Sequence, residues 1–379
     1  MIDIPLQTFS GTHHEIGAQQ GQAVRKLLHE NLEQIPKFEA VKLMKPKLLP
    51  TSLFLTLAKR RAAKLLKNDI SQYYPKQAQR LEGIAEGSGI DEPTLLLVQS
   101  MELSITVDES SYLLQACTSL GFDPKRTTTR QAIIAKNFDY PNDFAPYHLT
   151  CHIKPTEGYR TLGCTMAPLP GMIDGMNEHG LTVTYNLAYP TDKPKHFVPI
   201  SIMLQEMLET CKNTDEAIEF INRAKRAGGA LLVLADAEGN VKTVEISSNY
   251  AATRETVDNQ IINTNHYHTS EMQKHEVPHN AVFSGKVPKA LVGTRVHESS
   301  EQRLTRAQEL LKGKAKINEK RIIEVLRDHG KDDKPSNLTI CQHGEFVSTL
   351  RSVIFYPKRR IIKVLYGNPC QNEYAEFTF

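Results

Sequence analysis

The stretch LLQACTSLGF, residues 113–122, places a cysteine among small residues well inside the chain, just before the polar run of residues 123–130. An unpaired cysteine is most often a small buried hydrophobe, and this is one interpretation of Cys117. The other is a nucleophile, because a thiolate with a base beside it attacks carbonyl carbon. The second interpretation requires the rest of the chain to supply partners for the thiol.

The composition is typical of a soluble globular protein. The chain has 379 residues, of which 40% are hydrophobic and 23% are charged, enough for a sizeable core in one or two domains. The net charge is only +3, which argues against a nucleic acid or an anionic membrane as partner. Small-molecule partners are left open.

The lack of a recognisable secretory signal predicts a cytoplasmic protein, and the spacing of the cysteines bears on their chemistry. The first residues lack the basic flank and apolar core of a secretory signal, and residues 53–58 are too few to span a bilayer. The six cysteines show no CxxC spacing, which argues against a zinc ribbon or a redox pair. In a reducing compartment we expect them to be free thiols.

Hydrophobic periodicity divides the chain into helical and strand-rich regions. Residues 11–32 and 51–90 carry apolar residues at intervals of three and four, which predicts amphipathic helices. After Cys117, β-branched clusters between turn residues predict hairpins, and helices return over residues 200–227, 300–312 and 316–330. This order predicts a layered α+β or α/β sandwich rather than a doubly wound parallel sheet.

Two further motifs carry weaker signals. The segment GIAEGSG, residues 83–89, lacks the spacing of a nucleotide-binding loop, and its glycines indicate a helix terminus. The pair His266 and His268 would share one face of a strand, but neither a carboxylate nor a cysteine joins them locally. A structural pair is therefore favoured over a metal site.

No histidine stands out as a base for Cys117. A cut in the chain before Cys117 would supply a base of another kind, the free α-amine. A free α-amine has a pKa of about 7.7 to 8.0, whereas an amide nitrogen has no useful basicity. The thiol would attack the carbonyl carbon of Ala116 and exchange the peptide for a thioester. Water would then release residues 1–116, and the small side chain of Ala116 leaves room for the attack.

Eight short motifs follow one another along nearly the whole chain. They are GTHHEIGAQQG (11–21), CTS (117–119), KNFDY (136–140), GMNEHGLTVTYNLAY (175–189), NTNHYH (263–268), SSEQRLTRAQELL (299–311), LRDHG (326–330) and YGNPC (366–370). Together they resemble the penicillin acyltransferase-like family of N-terminal-nucleophile cysteine hydrolases, and more distantly the choloylglycine hydrolases. In this resemblance, CTS matches the new N-terminus that processing creates.

The resemblance implies an α+β fold of the N-terminal-nucleophile hydrolase type, a four-layer αββα sandwich of two antiparallel sheets faced by helices. Residues 1–116 would form a helical propeptide that stays packed on the catalytic part, residues 117–379. The processed small and large subunits would therefore remain associated. Any higher oligomer is left open.

The resemblance also implies roles for individual residues. Cys117 would be the nucleophile and, through its liberated amine, its own general base. Asp139 would accept a hydrogen bond from the ammonium or the thiol of Cys117. Asn186 and Asn265 would donate amide hydrogens to the developing oxyanion, a task that needs fixed neutral donors.

Four more residues follow from the same motifs. Arg303 would favour the thiolate and orient Asp139, with Arg306, one helical turn later, as the alternative. Lys136 would lie beside the site, on the strand that leads to Asp139. Lys136, Tyr140 and Arg306 are secondary candidates for contact with substrate.

The implied reaction is attack of Cys117 on a linear, non-peptide amide or a thioester, through an S-acyl-enzyme that water or a second amine resolves. The partner is a small acyl amide or acyl thioester, and no metal or organic cofactor is needed. Two alternatives stay open. One is a choloylglycine hydrolase-like amidase of N-acyl amino acids or acyl lactones. The other is a non-catalytic relative that keeps the Ala116–Cys117 bond.

Overall fold

Two β-sheets lie face to face between layers of helices in the computed structural model, which describes residues 4–32, 42, 45–46, 48–104, 116–284, 287 and 291–379. Residues 113–115 of the stretch around Cys117 lie outside this set. The helices are α1 (His13–Leu32), α2 (Thr51–Tyr73), α3 (Pro75–Ser88), α4 (Glu92–Ser104), α5 (Ile200–Thr210), α6 (Thr214–Arg223), α7 (Glu298–Leu310) and α8 (Glu319–Leu326). Within the described ranges, no helix is long and apolar enough to cross a membrane.

Fourteen strands in the described residues form the two sheets. They are β1 (Leu6–Gly11), β2 (Thr118–Phe122), β3 (Ile133–Pro141), β4 (His148–Pro155), β5 (Thr161–Met166), β6 (Asp174–Asn177), β7 (Thr182–Ala188), β8 (Gly229–Ala235), β9 (Val241–Ile246), β10 (Ala251–Arg254), β11 (Gln260–Asn263), β12 (Val347–Tyr356), β13 (Ile361–Tyr366) and β14 (Ala375–Thr378). The eight-stranded sheet has the order β1-β4-β5-β6-β7-β8-β9-β10, and the six-stranded sheet has the order β11-β2-β3-β12-β13-β14. Apart from the parallel pair of β1 and β4, neighbouring strands in both sheets are antiparallel.

Three apolar clusters define the four layers. Between the sheets, Leu162 and Val233 of the larger sheet share a core with Val353 of the smaller one. Helices of the N-terminal segment, together with α5 and α6, cover the outer face of the larger sheet. The outer face of the smaller sheet packs on α7 and α8 through residues such as Ala307 and Ile322. The predicted αββα sandwich is confirmed.

Strand β1 was not predicted, since the N-terminal segment was expected to be helical. Its residues LQTFSG alternate, but Phe9 is the one side chain of the strand that is fully buried. So short a pattern carries little periodic signal. Its pairing with β4 makes the N-terminal segment part of the larger sheet.

Helices α1 and α3 cross at glycines. A Cβ on Gly17 would lie 2.0 Å from the backbone oxygen of Arg80, and Cβ atoms on Gly83 and Gly87 would lie 2.1 and 2.0 Å from backbone oxygens of α1. The helices can approach this closely only where side chains are absent. The prediction that Gly83 and Gly87 mark a helix terminus is therefore wrong, because only Gly89, with φ of 71°, caps α3.

Three turns contain residue types that commonly form caps and turns. The side chain of Asn213 accepts a hydrogen bond from the backbone amide of Glu216 and so caps α6. Gly239, with φ of 101°, lies in the turn between β8 and β9. The last long hairpin turns at Pro357–Arg359, between β12 and β13.

A buried ion pair joins the N-terminal helices to α5. Arg80 Nη2 lies 2.6 Å from Glu209 Oε1, and the two side chains are 0% and 1% exposed. Gln77 and Gln205 donate further hydrogen bonds to the same carboxylate, at 2.9 and 2.8 Å. Removing one partner of such a pair leaves a buried charge uncompensated.

We expect Glu209→Gln to lower the free energy of unfolding by about 3 to 5 kcal/mol, because the guanidinium of Arg80 would stay buried without its counter-charge. Urea denaturation followed by circular dichroism measures the change. The matched control is Glu219→Gln, which breaks the exposed pair with Arg223 and should leave the midpoint unchanged. Equal effects from both variants would contradict the assignment.

Candidate active site

Cys117 immediately precedes β2, a strand with neighbours on both sides in the smaller sheet. Its side chain is 1% exposed, and its Sγ lies 3.9 Å from the backbone oxygen of Asp139. Burial raises the pKa of the thiol to about 11, against a smaller lowering by the charge of Lys136. In the described part of the chain, no imidazole or carboxylate is hydrogen-bonded to this sulfur. The thiol of the intact chain is therefore protonated at neutral pH and has no side-chain base.

The backbone of Cys117 is held by Arg303. The guanidinium, only 1% exposed, donates to the Cys117 carbonyl oxygen at 2.6 Å and to Thr118 Oγ1 at 3.0 Å. It also donates to Asn265 Oδ1 at 2.9 Å. Arg303 thus links the start of β2 to the loop after β11. With a further hydrogen bond from its Nε to Ser299 Oγ at 3.2 Å, this guanidinium binds four groups in the structure rather than orienting Asp139 by a hydrogen bond.

Asp139 lies on β3, beside the bond that would be cut. The antiparallel register pairs Thr118 with Asn137, and continuing it by two residues sets Ala116 opposite Asp139. One carboxylate oxygen, Oδ1, accepts a hydrogen bond from Thr349 at 2.6 Å. The other, Oδ2, is buried and has no hydrogen-bond partner among the described residues. Burial raises the pKa of Asp139 to about 7, although the charge of Arg303 opposes the shift.

The two asparagines converge on the same place. Asn186 Nδ2 lies 3.3 Å from the Cys117 carbonyl oxygen and 3.0 Å from that of Thr264. Asn265 Nδ2 donates to the backbone oxygen of Leu187 at 2.8 Å. Both amide groups are thus fixed by backbone carbonyls. Both are neutral donors, the kind of group that stabilises an oxyanion, and in this structure their Nδ2 groups face backbone oxygens.

Lys136 is buried and contacts a different carboxylate. Its Nζ donates to Asp174 Oδ1 at 2.7 Å and to the backbone oxygen of Tyr185. Arg351 donates to the second oxygen of Asp174 at 2.6 Å. The two cations share one carboxylate on the larger sheet, so Lys136 acts on Cys117 through its charge alone.

Arg306, the predicted alternative to Arg303, lies away from Cys117. Its guanidinium binds the carboxylate of Asp328 at 2.9 and 2.7 Å and is partly exposed. Three residues along a helix correspond to about 4.5 Å of rise, and this shift moves the side chain past the site. The structure therefore removes Arg306 from the candidate site and keeps Arg303.

His266 and His268 have structural contacts. His266 Nδ1 lies 2.7 Å from Ser300 Oγ, and its ring stacks on that of His268 with centroids 5.0 Å apart. Ser300 also accepts a hydrogen bond from the backbone amide of Asn265 at 2.7 Å. The pair supports the loop that carries Asn265, which agrees with the structural interpretation.

An apolar cavity lies next to the candidate active site. Its wall near Cys117 is formed by side chains next to Asp139 and Asn186, namely Phe138, Tyr140 and Tyr185. The rest comes from two sources, the N-terminal helices and the segment between β3 and β6. These further lining residues are Leu28, Ile90, Thr94, Leu95, Val98, Met101, Glu102, Phe144, Tyr147, Met166, Ala167, Pro168, Leu169 and Ile173.

A second, more polar cavity of about 430 Å³ reaches the other side of the bond before Cys117. Ala116, Asn265 and Arg303 contribute to its lining, as do residues of the loop before β12 such as Gln342. The bond between Ala116 and Cys117 thus adjoins a cavity with several polar side chains in its wall as well as the apolar cavity.

Some contributing residues carry no sequence signal. Thr349 binds Asp139 but stands in an ordinary strand pattern, and Ser119, which donates to Asn186 Oδ1 at 2.5 Å, was noted only as part of CTS. The first contact depends on the pairing of β12 with β3, and the second on the packing of the two sheets against each other, so neither could be found from local sequence.

Comparison with solved structures finds partial likenesses at low identity. The Caenorhabditis elegans ortholog of N-acylethanolamine-hydrolyzing acid amidase is 16% identical, with a TM-score of 0.42 over 64% of this chain and 93% of that one. A variant of the conjugated bile acid hydrolase from Clostridium perfringens is 15% identical, with a TM-score of 0.45 over 69% of this chain and 97% of that one. Penicillin V acylase from Agrobacterium tumefaciens is 17% identical, with a TM-score of 0.43 over 66% of this chain and 83% of that one.

Sequence comparison gives the family. No curated protein matches the chain significantly. The family model described as acyl-coenzyme A:6-aminopenicillanic acid acyl-transferase matches residues 126–371, well over half of the chain. The match includes the candidate residues from Lys136 to Arg306 and begins after Cys117. The resemblance found in the motifs is confirmed, and the chain belongs to the acyl-coenzyme A:6-aminopenicillanic acid acyl-transferase family of enzymes.

Proposed function

We propose that this enzyme matures by cleaving its own Ala116–Cys117 bond and then acts as a cysteine N-terminal-nucleophile hydrolase or acyltransferase. The observation that carries the proposal is the burial of Cys117 without a side-chain base among the described residues. A thiol whose pKa is raised to about 11 needs a base to react at neutral pH. Cleavage would supply that base as the α-amine of Cys117.

The cleavage step balances without a cofactor. The Cys117 sulfur attacks the carbonyl carbon of Ala116, the C–N bond breaks, and the nitrogen becomes an amine as the thioester forms. Water then hydrolyses the thioester, which frees the thiol and leaves a carboxylate on Ala116. The polar cavity that Ala116 lines supports access of water to this carbonyl.

The surroundings of the bond also suit the product. Arg303 and Asn186 hold the Cys117 carbonyl oxygen at 2.6 and 3.3 Å, which would keep the new N-terminus in place. Asp139 Oδ2, buried and without a partner in the described part of the chain, offers an acceptor beside the bond. The ammonium group of processed Cys117 would fill that position and would lower the pKa of Asp139 again.

In the reaction with substrate, the Cys117 amine would take the proton of the thiol as the sulfur attacks the acyl carbonyl. Asn186 and Asn265 are the donors we assign to the oxyanion. The protonated amine then gives its proton to the leaving amine, and an S-acyl-enzyme forms. Water or a second amine resolves the thioester, giving hydrolysis or transfer.

We assign one half of the substrate to each of the two cavities. The apolar cavity, whose wall includes Phe138, Tyr140 and Tyr185, would take the acyl group. The polar cavity beside Ala116 and Arg303 would take the amine, or the water that replaces it. We therefore assign apolar acyl amides or acyl thioesters as the substrate class.

We expect Cys117→Ala to abolish both turnover and the covalent acyl adduct, because the variant lacks the sulfur that we assign as the nucleophile. Intact mass spectrometry of enzyme quenched during turnover of an N-acyl amide measures the adduct, and product analysis measures turnover. Cys211→Ala, which removes a thiol at the end of α5, should keep both. A Cys117→Ala enzyme that still turns over the amide would overturn the assignment of the nucleophile.

The two arginines of α7 give a matched pair of variants. Arg303→Met should lower kcat/KM by about 100-fold, the order expected when a reacting group is misplaced by about 1 Å. Arg306→Met should leave kcat/KM nearly unchanged, since Arg306 binds Asp328 instead. Thermal unfolding of both variants establishes that they are folded. The reverse order of effects would contradict the assignment of Arg303.

The apolar cavity predicts a dependence on acyl length. Each added methylene should raise kcat/KM about fourfold until the cavity is full, from about 0.8 kcal/mol per buried methylene. Val98→Trp, which narrows the cavity, should reduce kcat/KM for long acyl groups and spare acetyl substrates. The control is Val292→Trp at an exposed position. A flat length profile in all three proteins would argue against an acyl group in this cavity.

A further inference from the structure

Two cysteines and two histidines meet near Asp139 and have no part in the proposed reaction. His329 follows α8, Cys341 and His343 precede β12, and Cys370 follows β13. One donor atom from each of the four lies within 4.8 Å of the others. Two thiolates and two imidazoles are a donor set that structural zinc sites use.

Three distances in this cluster lie within about 0.4 Å of the edges of a tetrahedral zinc site. The sulfurs of Cys341 and Cys370 lie 3.7 Å apart, and His343 Nε2 lies 3.4 and 3.2 Å from them. Zinc bonds of about 2.3 Å to sulfur and about 2.0 to 2.1 Å to nitrogen give tetrahedral edges of about 3.8 Å between sulfurs and about 3.6 Å between sulfur and nitrogen. A disulfide would need the sulfurs about 2.05 Å apart.

His329 is oriented as a metal ligand commonly is. Its Nδ1 lies 3.2 Å from a carboxylate oxygen of Asp333. Its Nε2 is buried, with no hydrogen-bond partner among the described residues. Ligating histidines usually give their second nitrogen to a carboxylate or a carbonyl in this way. The free nitrogen is the one that would bind the ion.

The loop between the ligands is fixed by further hydrogen bonds. The backbone amide of Cys341 donates to the backbone oxygen of Asp328 at 3.0 Å. Asn368 Nδ2 donates to the backbone oxygen of Gln342 at 2.6 Å and lies 3.9 Å from the Cys341 sulfur. These contacts bring the three ligand-bearing segments together before any ion binds.

We propose that His329, Cys341, His343 and Cys370 bind one zinc ion. Cys341 is fully buried and the other three are partly exposed, which leaves a route for the ion to enter. None of the four side chains takes part in the reaction that we propose for Cys117. The four ligands come from three separate segments, and no CxxC pair marks them. For this reason the spacing of the cysteines in the sequence argued against a zinc site.

The site would brace the neighbourhood of Asp139. Gln342, between two of the ligands, donates its backbone amide to Thr349 Oγ1 at 2.9 Å. The Thr349 hydroxyl in turn donates to Asp139 at 2.6 Å. Zinc would therefore fix the loop on which the hydrogen bond to Asp139 depends.

The test uses the full-length protein, purified under reducing conditions without chelator. We expect elemental analysis to find one zinc per chain. After exchange for Co²⁺, we expect the intense d–d and sulfur-to-metal bands of tetrahedral thiolate ligation. Calorimetry with zinc chloride and metal-free protein measures the zinc affinity of each variant. We expect it to be at least 100-fold weaker in Cys370→Ser and in His329→Gln. Removal of a hydrogen-bond partner of a ligand, by comparison, costs about 10- to 100-fold.

The controls separate a loss of ligation from a loss of fold. Cys211→Ser removes a thiol elsewhere and should bind zinc as the unmodified protein does. Circular dichroism of each variant reports folding, and the cobalt spectrum of the unmodified protein tests the ligands without any substitution. Three results would overturn the proposal: folded protein that binds neither ion, a cobalt spectrum without sulfur bands, or full zinc affinity in Cys370→Ser.

Discussion

The burial of the Cys117 thiol is the constraint on which the rest of the site depends. Desolvation raises its pKa to about 11, so the sulfur that is best placed to attack keeps its proton at neutral pH. In the described residues the nearby cations are engaged elsewhere, Lys136 with Asp174 and Arg303 with backbone and amide oxygens. The α-amine that the proposed cleavage would create resolves this conflict in our proposal, because such a base needs no room for another side chain.

The sandwich explains why the N-terminal segment should stay with the catalytic part after a cut. Strand β1 extends the larger sheet, and Arg80 forms a buried ion pair with Glu209. Residues of α4, such as Val98, line the cavity that we assign to the acyl group. Loss of the segment would expose the larger sheet and open that cavity. The cleavage that we propose would therefore change one bond at the site and leave the packing around it intact.

Much of this could be predicted from the sequence. Periodicity predicted most helices and hairpins, and motif order predicted the family and the meeting of Cys117, Asp139, Asn186, Asn265 and Arg303. Strand β1 was missed because only one of its side chains is fully buried, which leaves little periodic signal. The role of the glycines in α3 was missed because it depends on the close approach of another helix, α1. The choice between Arg303 and Arg306 needed the structure, because it depends on which of the two positions along α7 faces Cys117. The apolar cavity and the cluster around Cys341 join segments that are distant in sequence, so local spacing could not reveal them.

The most direct test of the account is the N-terminus of the mature protein. Sequencing and intact mass of freshly purified enzyme should give a chain that starts at Cys117, with residues 1–116 copurifying as a separate fragment. A single species of 42.6 kDa, unchanged on incubation and yet active on an acyl amide, would contradict self-cleavage as the source of the base.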